Sequence, residues 1–191
     1  ACFVDFRKVF DSVWHEGLFL KLLKNKIGGR FYDLIKSLYS NTQCAIKCSD
    51  HRTTFFPYKR GVRQGCILSP LLFNIYINEL PKILQETSSD PFVLPDGTTV
   101  SSLIYADDLV ILSKSKNGLQ NSLNKFYEWS KKWLVEINMK KTKIMILQKH
   151  NSKKSQNLNF LLSNSSVDIT NEYTYLGVKL TSTAKFSIAQ Q

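Results

Sequence analysis

The residues best suited to chemistry are Tyr105-Ala106-Asp107-Asp108, which interrupt two apolar runs, Leu103-Ile104-Tyr105 and Leu109 to Leu112. Adjacent carboxylates at a tight turn between buried strands repel one another and lose solvation, a cost the fold recovers when a cation sits between them. A surface turn would carry Gly, Asn and polar flanks instead. A third carboxylate, Asp5, ends the apolar run Cys2-Phe3-Val4. Asp11 stands just before a helical segment and is the better helix cap, which leaves Asp5 for other work. Three carboxylates converging at strand ends suit two Mg²⁺ ions a few ångströms apart, with Mn²⁺ as the alternative, the arrangement used for in-line phosphoryl transfer.

The elements around these acids follow from periodicity. Ala1 to Phe6 reads as a buried strand. Leu18, Phe19, Leu22 and Leu23 give a helical period over His15 to Ile27, and Phe31, Leu34, Ile35 and Leu38 repeat it over Arg30 to Tyr39 after the Gly28-Gly29 break. Gln43 to Lys47 and Thr53 to Tyr58 flank a polar turn and predict a hairpin. Ser69-Pro70 predicts a helix start, Ser as N-cap and Pro in the first turn, leading into a helix that is apolar nearly all round. A hairpin turns at Asp96-Gly97. A long amphipathic helix is expected from Asn117 to Val135, then strands at Lys143 to Gln148, Leu158 to Leu162 and Glu172 to Leu180, and a polar tail beyond Thr181. The order predicts an α+β fold, an antiparallel sheet with helices packed on one face.

Composition agrees with one folded core. The chain has 191 residues, 43% hydrophobic and 21% charged, which excludes wholesale disorder. Its longest apolar-leaning stretch, Cys66 to Asn78, falls short of the ~20 residues that span a bilayer, so no membrane partner is expected. Cys2, Cys44, Cys48 and Cys66 have no metal-ligand spacing and read as reduced thiols of an intracellular protein. The opening Ala1-Cys2-Phe3, a strand already under way, reads as a piece of a longer polypeptide. The net charge is +11, yet residues 61–110 carry two basic and six acidic residues. A basic frame around an acidic centre suits a polyanion held where divalent metal is also held.

In order along the chain, Phe3-Val4-Asp5-Phe6-Arg7-Lys8-Val9-Phe10-Asp11-Ser12-Val13, Gly61-Val62-Arg63-Gln64-Gly65-Cys66-Ile67-Leu68-Ser69-Pro70-Leu71-Leu72-Phe73-Asn74 and Tyr105-Ala106-Asp107-Asp108 resemble motifs A, B and C of a reverse-transcriptase palm of the non-LTR (LINE-type) retrotransposon kind. Ile137-Asn138-Met139-Lys140-Lys141-Thr142 is similar to motif D, and Tyr173-Thr174-Tyr175-Leu176-Gly177-Val178 to the primer-grip motif E. Val9 stands where Ala is usual. The resemblance implies a palm over residues 1–148 with partial fingers elements at about 28–60, an exposed turn or linker at 149–157, primer-grip strands at 158–180, and a tail at 181–191.

The resemblance also implies roles. Asp5 and Asp107 bridge the metals, with Asp108 a weaker ligand and the Phe6 carbonyl a further contact. Phe10 gates the sugar, and Gln64 and Gly65 attend the incoming nucleotide, with Gly61 and Gly65 letting backbone approach nucleic acid. Lys141 protonates the leaving pyrophosphate, and Lys140 and Lys143 stand close by as rivals of the same residue type. Tyr105, Tyr175, Leu176 and Gly177 contact the primer. The implied activity is RNA-directed DNA synthesis, with an RNA template, a DNA primer, a dNTP and the rest of a retrotransposon polyprotein as partners, acting in the nucleus. Two rivals stand beside it: a non-catalytic RNA-binding module of RRM type, and an inert copy of a decayed element.

Overall fold

The computed structural model describes residues 1–147, 158–183 and 186–188. The predicted linker at 149–157 lies outside the described residues. In chain order the elements are β1 (Cys2–Val4), α1 (Val9–Ser12), α2 (His15–Lys24), α3 (Gly29–Ser40), β2 (Gln43–Cys44), β3 (Lys47–Cys48), β4 (His51–Arg52), β5 (Phe56–Pro57), α4 (Ser69–Ile77) and α5 (Glu79–Thr87). There follow β6 (Phe92–Val93), β7 (Thr99–Val100), β8 (Ser102–Tyr105), β9 (Asp108–Ile111), α6 (Lys116–Lys132), β10 (Lys143–Met145), β11 (Leu161–Leu162), β12 (Ser165–Ser166), β13 (Ile169–Thr170), β14 (Glu172–Tyr175), β15 (Val178–Thr181) and β16 (Phe186–Ile188). Among the described residues no helix is long and apolar enough to cross a membrane.

The chain forms two compact units, one of Ala1–Arg7, Glu79–Lys132 and Glu136–Gln191, the other of Lys8–Asn78 and Trp133–Val135. The first is built on a five-stranded sheet in the order β13-β10-β1-β9-β8. The central strand β1 pairs antiparallel with β9 (Val4 opposite Leu109) and with β10 (Cys2 opposite Ile144). Only β13, at the edge, runs parallel to its neighbour β10, a small departure from the predicted all-antiparallel sheet. Two residues, Ile169 and Thr170, carry no period from which that direction could be read.

Pleating decides the two faces. Phe3, Val110 and Met145 form one buried cluster, and Tyr173, Tyr175 and Leu180 of the β14–β15 hairpin pack on it. The alternate positions Cys2, Val4, Leu109 and Ile111 are also buried and point to the opposite, helical side. Phe6, of the same parity, meets Phe126 of α6 with ring centroids 5.9 Å apart. On α6 the buried Leu119, Leu123, Phe126 and Trp129 recur at helical spacing, so the helix lays one apolar stripe on the sheet. Trp129 Nε1 donates to Glu79 of α5, 3.2 Å away.

In the second unit α2 packs on α3 and α4. Its core gathers Leu18, Leu22, Ile35, Leu72, Phe73 and Tyr76, all buried. Tyr76 donates its hydroxyl hydrogen to the Trp133 carbonyl, and burial pushes its pKa up to about 12. The predicted apolar helix after Ser69 ends at Ile77, and α5 begins at Glu79 with Pro81 in its first turn, where a missing N–H costs nothing.

Four expectations need correction. Ser69 does not cap its helix: it is the first helical residue, the cap position is Leu68, and the Ser69 hydroxyl donates instead to the Arg63 carbonyl. Asp11 lies inside α1 rather than capping α2, whose cap position is Trp14. The strand expected over Glu172 to Leu180 is a hairpin, folded at Leu176-Gly177, whose φ angles are 49° and 76°. Beyond Thr181 the chain does not trail off but returns as β16, paired to β15.

Candidate active site

The sequence-predicted acids meet in the first unit. Strand β9 pairs with β8 through Tyr105 opposite Asp108, and Ala106-Asp107 make the two-residue turn between them. Ala106 takes φ 51°, a left-handed conformation that costs a non-glycine residue of order 1 kcal/mol and marks sites where backbone direction matters. On the other side of β9, Val4 stands opposite Leu109, and one further step of that register sets Asp5 beside Asp108. Asp5, Asp108 and Tyr105 therefore share the face that carries Phe3 and Val110.

The backbone of Asp5 is held at both ends. Its N–H donates to the Thr142 hydroxyl oxygen at 3.2 Å, and its carbonyl accepts from the Asn138 N–H at 2.8 Å. Phe6 forms an antiparallel bridge with Ile137, its ring turned toward the helices. The segment 136–142 thus clamps the end of β1. Thr142 is buried, and sequence reasoning passed it over because a threonine hydroxyl serving a backbone N–H leaves no periodic signal.

Burial and charge repulsion act together at the site. Burial first, then the charges of Asp107 and Asp5, hold the Asp108 carboxyl above the usual carboxylate range. Burial and the Asp5 and Asp108 charges likewise raise the Tyr173 phenol, and burial and Asp108 raise Tyr175. Among the described residues no three His, Cys, Asp or Glu side chains close into a cage that could hold a metal ion. The all-oxygen donors nonetheless fit a hard divalent cation, and Mg²⁺ characteristically takes only one or two carboxylates, completing its shell with waters and substrate phosphates.

The hairpin β14–β15 stands over this face. Tyr173 stacks on Phe3 at 4.4 Å, Tyr175 meets Phe3 at 5.9 Å, and the Tyr175 hydroxyl reaches the Asp108 carbonyl at a long 3.5 Å. At its tip Leu176 is 49% exposed, and across the sheet Tyr105 is 68% exposed. Lys141 is exposed and sits in a turn where its own N–H and that of Thr142 both donate to the Asn138 carbonyl. That puts it one residue from the threonine holding Asp5. Its neighbour Lys143 is engaged by Asp168 at 2.6 Å.

The residues assigned to the nucleotide lie in the second unit. Phe10, on α1, is half-buried with its ring 4.6 Å from that of Phe73. The loop 61–65 is tied to α1 and to the residue that ends it: the Val62 N–H donates to the Phe10 carbonyl and the Gly61 N–H to that of Val13. Gln64 is exposed, and its amide donates to Asp11 at 2.8 Å. Asp11 is therefore a partner of Gln64, a role its capping look concealed. Gly61 has φ 90°, and a Cβ there would stand 2.8 Å from the Asp11 carbonyl oxygen. The protein's own chain makes a close approach that requires this glycine. Gly65, at φ 78°, has open space around it. Buried His15 donates from Nε2 to the Gly61 carbonyl at 2.8 Å and braces the same loop.

Comparison with known proteins agrees with this arrangement. Residues 1–180 match the family model described as reverse transcriptase (RNA-dependent DNA polymerase). The chain is 31% identical, over 94% of its length and 19% of the relative's, to the RNA-directed DNA polymerase from mobile element jockey of Drosophila funebris. It is 33% identical over 64% of its length, and 12% of the relative's, to a Pol polyprotein from the type-1 retrotransposable element R2 of Nasonia vitripennis. The chain thus spans under a fifth of the length of these relatives. Among solved structures, apo telomerase from Candida tropicalis superposes with a TM-score of 0.63 at 15% identity, covering 98% of this chain and 32% of that one. With paired acids on neighbouring strand ends, an α+β frame of the same shape and a family match along nearly its whole length, the chain belongs to the reverse transcriptase (RNA-dependent DNA polymerase) family.

Proposed function

We propose that this chain is the catalytic core of an RNA-directed DNA polymerase of a non-LTR retrotransposon, working on an RNA template, a DNA primer and deoxynucleoside triphosphates. The observation that carries the reading is Asp5, one residue past the Val4–Leu109 pair, brought close enough to Asp108 and the Asp107 turn for their charges to act on one another at the end of the sheet. In the reaction the primer 3′-OH attacks the α-phosphate of a deoxynucleotide and pyrophosphate leaves. Asp5, Asp107 and Asp108 would hold two Mg²⁺ ions, which when bound acidify the 3′-OH and neutralise charge on the departing pyrophosphate.

The chain's own residues do the rest. Asn138 and Thr142 fix the Asp5 backbone, so the carboxylate need not be reorganised during the reaction. Lys141 donates a proton to the pyrophosphate oxygen. Phe10 excludes a ribose 2′-OH by contact, and Gln64, oriented by Asp11, attends the nucleotide with Gly65. Tyr105, Tyr175, Leu176 and Gly177 hold the primer. The carboxylate-bearing sheet is the palm, and the elements at about 28–60 belong to the fingers. The reading has the chain inside the cell, in keeping with its four free cysteines, and in the nucleus when it acts. The remainder of a longer polyprotein supplies further template and triphosphate contacts.

The test is primer extension on an RNA template with Mg²⁺ by the polypeptide that carries this chain. Asp107→Asn should abolish extension and leave nucleic-acid affinity within about twofold, since phosphate contacts lie elsewhere. Near-normal extension by that variant overturns the reading.

A further inference from the structure

His15 is a buried ionisable side chain to which the polymerase reading gives no task. It is 4% exposed at the start of α2, and a polar ring buried so deeply needs a hydrogen-bond partner. Its Nε2 lies 2.8 Å from the Gly61 carbonyl oxygen. A carbonyl only accepts, so Nε2 carries the hydrogen and donates it. Three aromatic rings hold the imidazole from its sides. Tyr39 meets it edge-on at 5.1 Å and Tyr58 at 6.3 Å, with Phe19 at 6.5 Å. A ring packed in this way has little freedom to swing off the carbonyl.

The residue it holds is the pivot of the loop that carries Gln64. The Gly61 N–H donates to the Val13 carbonyl and the Val62 N–H to that of Phe10, while Trp14 bridges antiparallel to Arg60. Residues 10–14 and 60–62 therefore run side by side. A Cβ on Gly61 would run into the Tyr58 hydroxyl and the Asp11 carbonyl, so the loop cannot settle closer on that side. Gly61 is thus fixed at its N–H, at its Cα and, through His15, at its carbonyl. Three residues on, Gln64 is exposed, and its amide is tied to Asp11 at 2.8 Å. A hydrogen bond open to water adds little net stability. Where Gln64 stands depends on the backbone beneath it, and that backbone is anchored at Gly61.

We propose that His15 is a positioning residue for nucleotide selection: through the Gly61 carbonyl it holds the 61–65 loop against α1, so that Gln64 and Phe10 keep one spacing toward the incoming deoxynucleotide. The link to the nucleotide rests on the polymerase reading; the brace itself does not. Without the imidazole the Gly61 carbonyl is buried and unpaired, and the loop must shift for water to reach it.

Hydrogen exchange on the 191-residue chain tests the brace at the Gly61 and Val62 amides. His15→Leu should speed their exchange about tenfold or more, while the Leu22 amide in the core of α2 changes by less than about threefold. His15→Gln, whose amide N–H can reach the same carbonyl, should exchange like the parent. In the polypeptide that carries this chain, single-nucleotide extension on an RNA template with Mg²⁺ reads the consequence. His15→Leu should raise KM for the correct deoxynucleotide about tenfold, with kcat per active enzyme and KM for primer within about twofold. His15→Gln should restore KM to within about threefold of the parent. In a Gln64→Ala background His15→Leu should add less than about twofold to KM, because its effect passes through Gln64. If His15→Leu does not fold, His15→Asn, whose amide is too short to reach Gly61, takes its place in each comparison. Unchanged exchange at Gly61 and Val62 alongside normal extension overturns the brace alone. A smaller active fraction at unchanged KM makes His15 a core residue and overturns its role in selection, as does an equally large effect in the Gln64→Ala background. Altered exchange in a parent polypeptide that extends no primer overturns that role together with the polymerase reading.

Discussion

Phe3 and Tyr173 stack with ring centroids 4.4 Å apart and planes inclined by 16°. One ring belongs to the central strand that ends in Asp5, the other to the hairpin whose tip carries Leu176 and Gly177. The contact is what positions the hairpin over the acidic face. Tyr173→Ala should lower stability by about 2–4 kcal/mol through lost burial and stacking. It should also raise KM for primer more than for nucleotide. Tyr173→Phe keeps the ring and should restore both, which thermal unfolding and primer titrations would check.

Phe10 gives a test of sugar selection. Phe10→Val should relax discrimination against ribonucleotides by well over tenfold if the ring screens the 2′-OH, since such pocket contacts are worth ~1–3 kcal/mol. Its half-buried packing on Phe73 predicts a smaller accompanying loss of stability. A fall in melting temperature with an unchanged ribo-to-deoxy incorporation ratio would return Phe10 to the core.

Asp108 should show itself in pH dependence. Its carboxyl sits above the usual range because burial, Asp107 and Asp5 all disfavour the charge. The folded state therefore binds the proton more tightly than the unfolded chain, and this group's contribution to stability is lost as pH rises through the folded value. Asp108→Asn removes the penalty, so the variant should melt higher than the parent at pH 7. The gain should be under about 1 kcal/mol, because solvent screens an exposed site. It should vanish below the carboxylate range, where the parent's acid is neutral too. A variant that melts lower at pH 7 would show that repulsion at Asp108 does not strain the fold.

The two glycines of the 61–65 loop should respond differently. Gly61→Ala meets both a positive φ and the Asp11 carbonyl, and should cost about 2–4 kcal/mol. Gly65→Ala meets only its positive φ, with open space around it, and should cost about 1–2 kcal/mol. Denaturant midpoints of the two variants separate these; equal losses would mean the Asp11 carbonyl moves aside freely.

The acids were legible because their neighbours are apolar: Leu103-Ile104 and Leu109-Val110 read as strands, so the acids between them stand out, although only Leu109 and Val110 are buried and Leu103 is half-exposed. The helices were legible from their stripes, and α6 falls within three residues of its expected ends. What escaped was polar traffic that leaves no period. Ser69 and Asp11 both have the look of caps, but the Arg63 carbonyl and the Gln64 amide claimed them. Tyr175-Leu176-Gly177-Val178 stays apolar through its turn, so the hairpin passed for one strand. A leucine at φ 49° is a position its residue type does not announce.

The placement of β1 has a consequence for how the protein is made. Of the elements described, it leaves the ribosome earliest and lies in the middle of the five-stranded sheet, yet its partners are Leu109–Ile111 on one side and Lys143–Ile144 on the other. Over a hundred further residues must emerge before either edge of it is covered. Closing such long loops is slow, and an unpaired apolar strand is prone to aggregation while it waits. Cys2-Phe3-Val4 therefore stays uncovered throughout the synthesis of α1 to α5 and β2 to β8. A chaperone that holds extended apolar segments should raise the soluble yield by acting on this strand, well before the acids it positions have met.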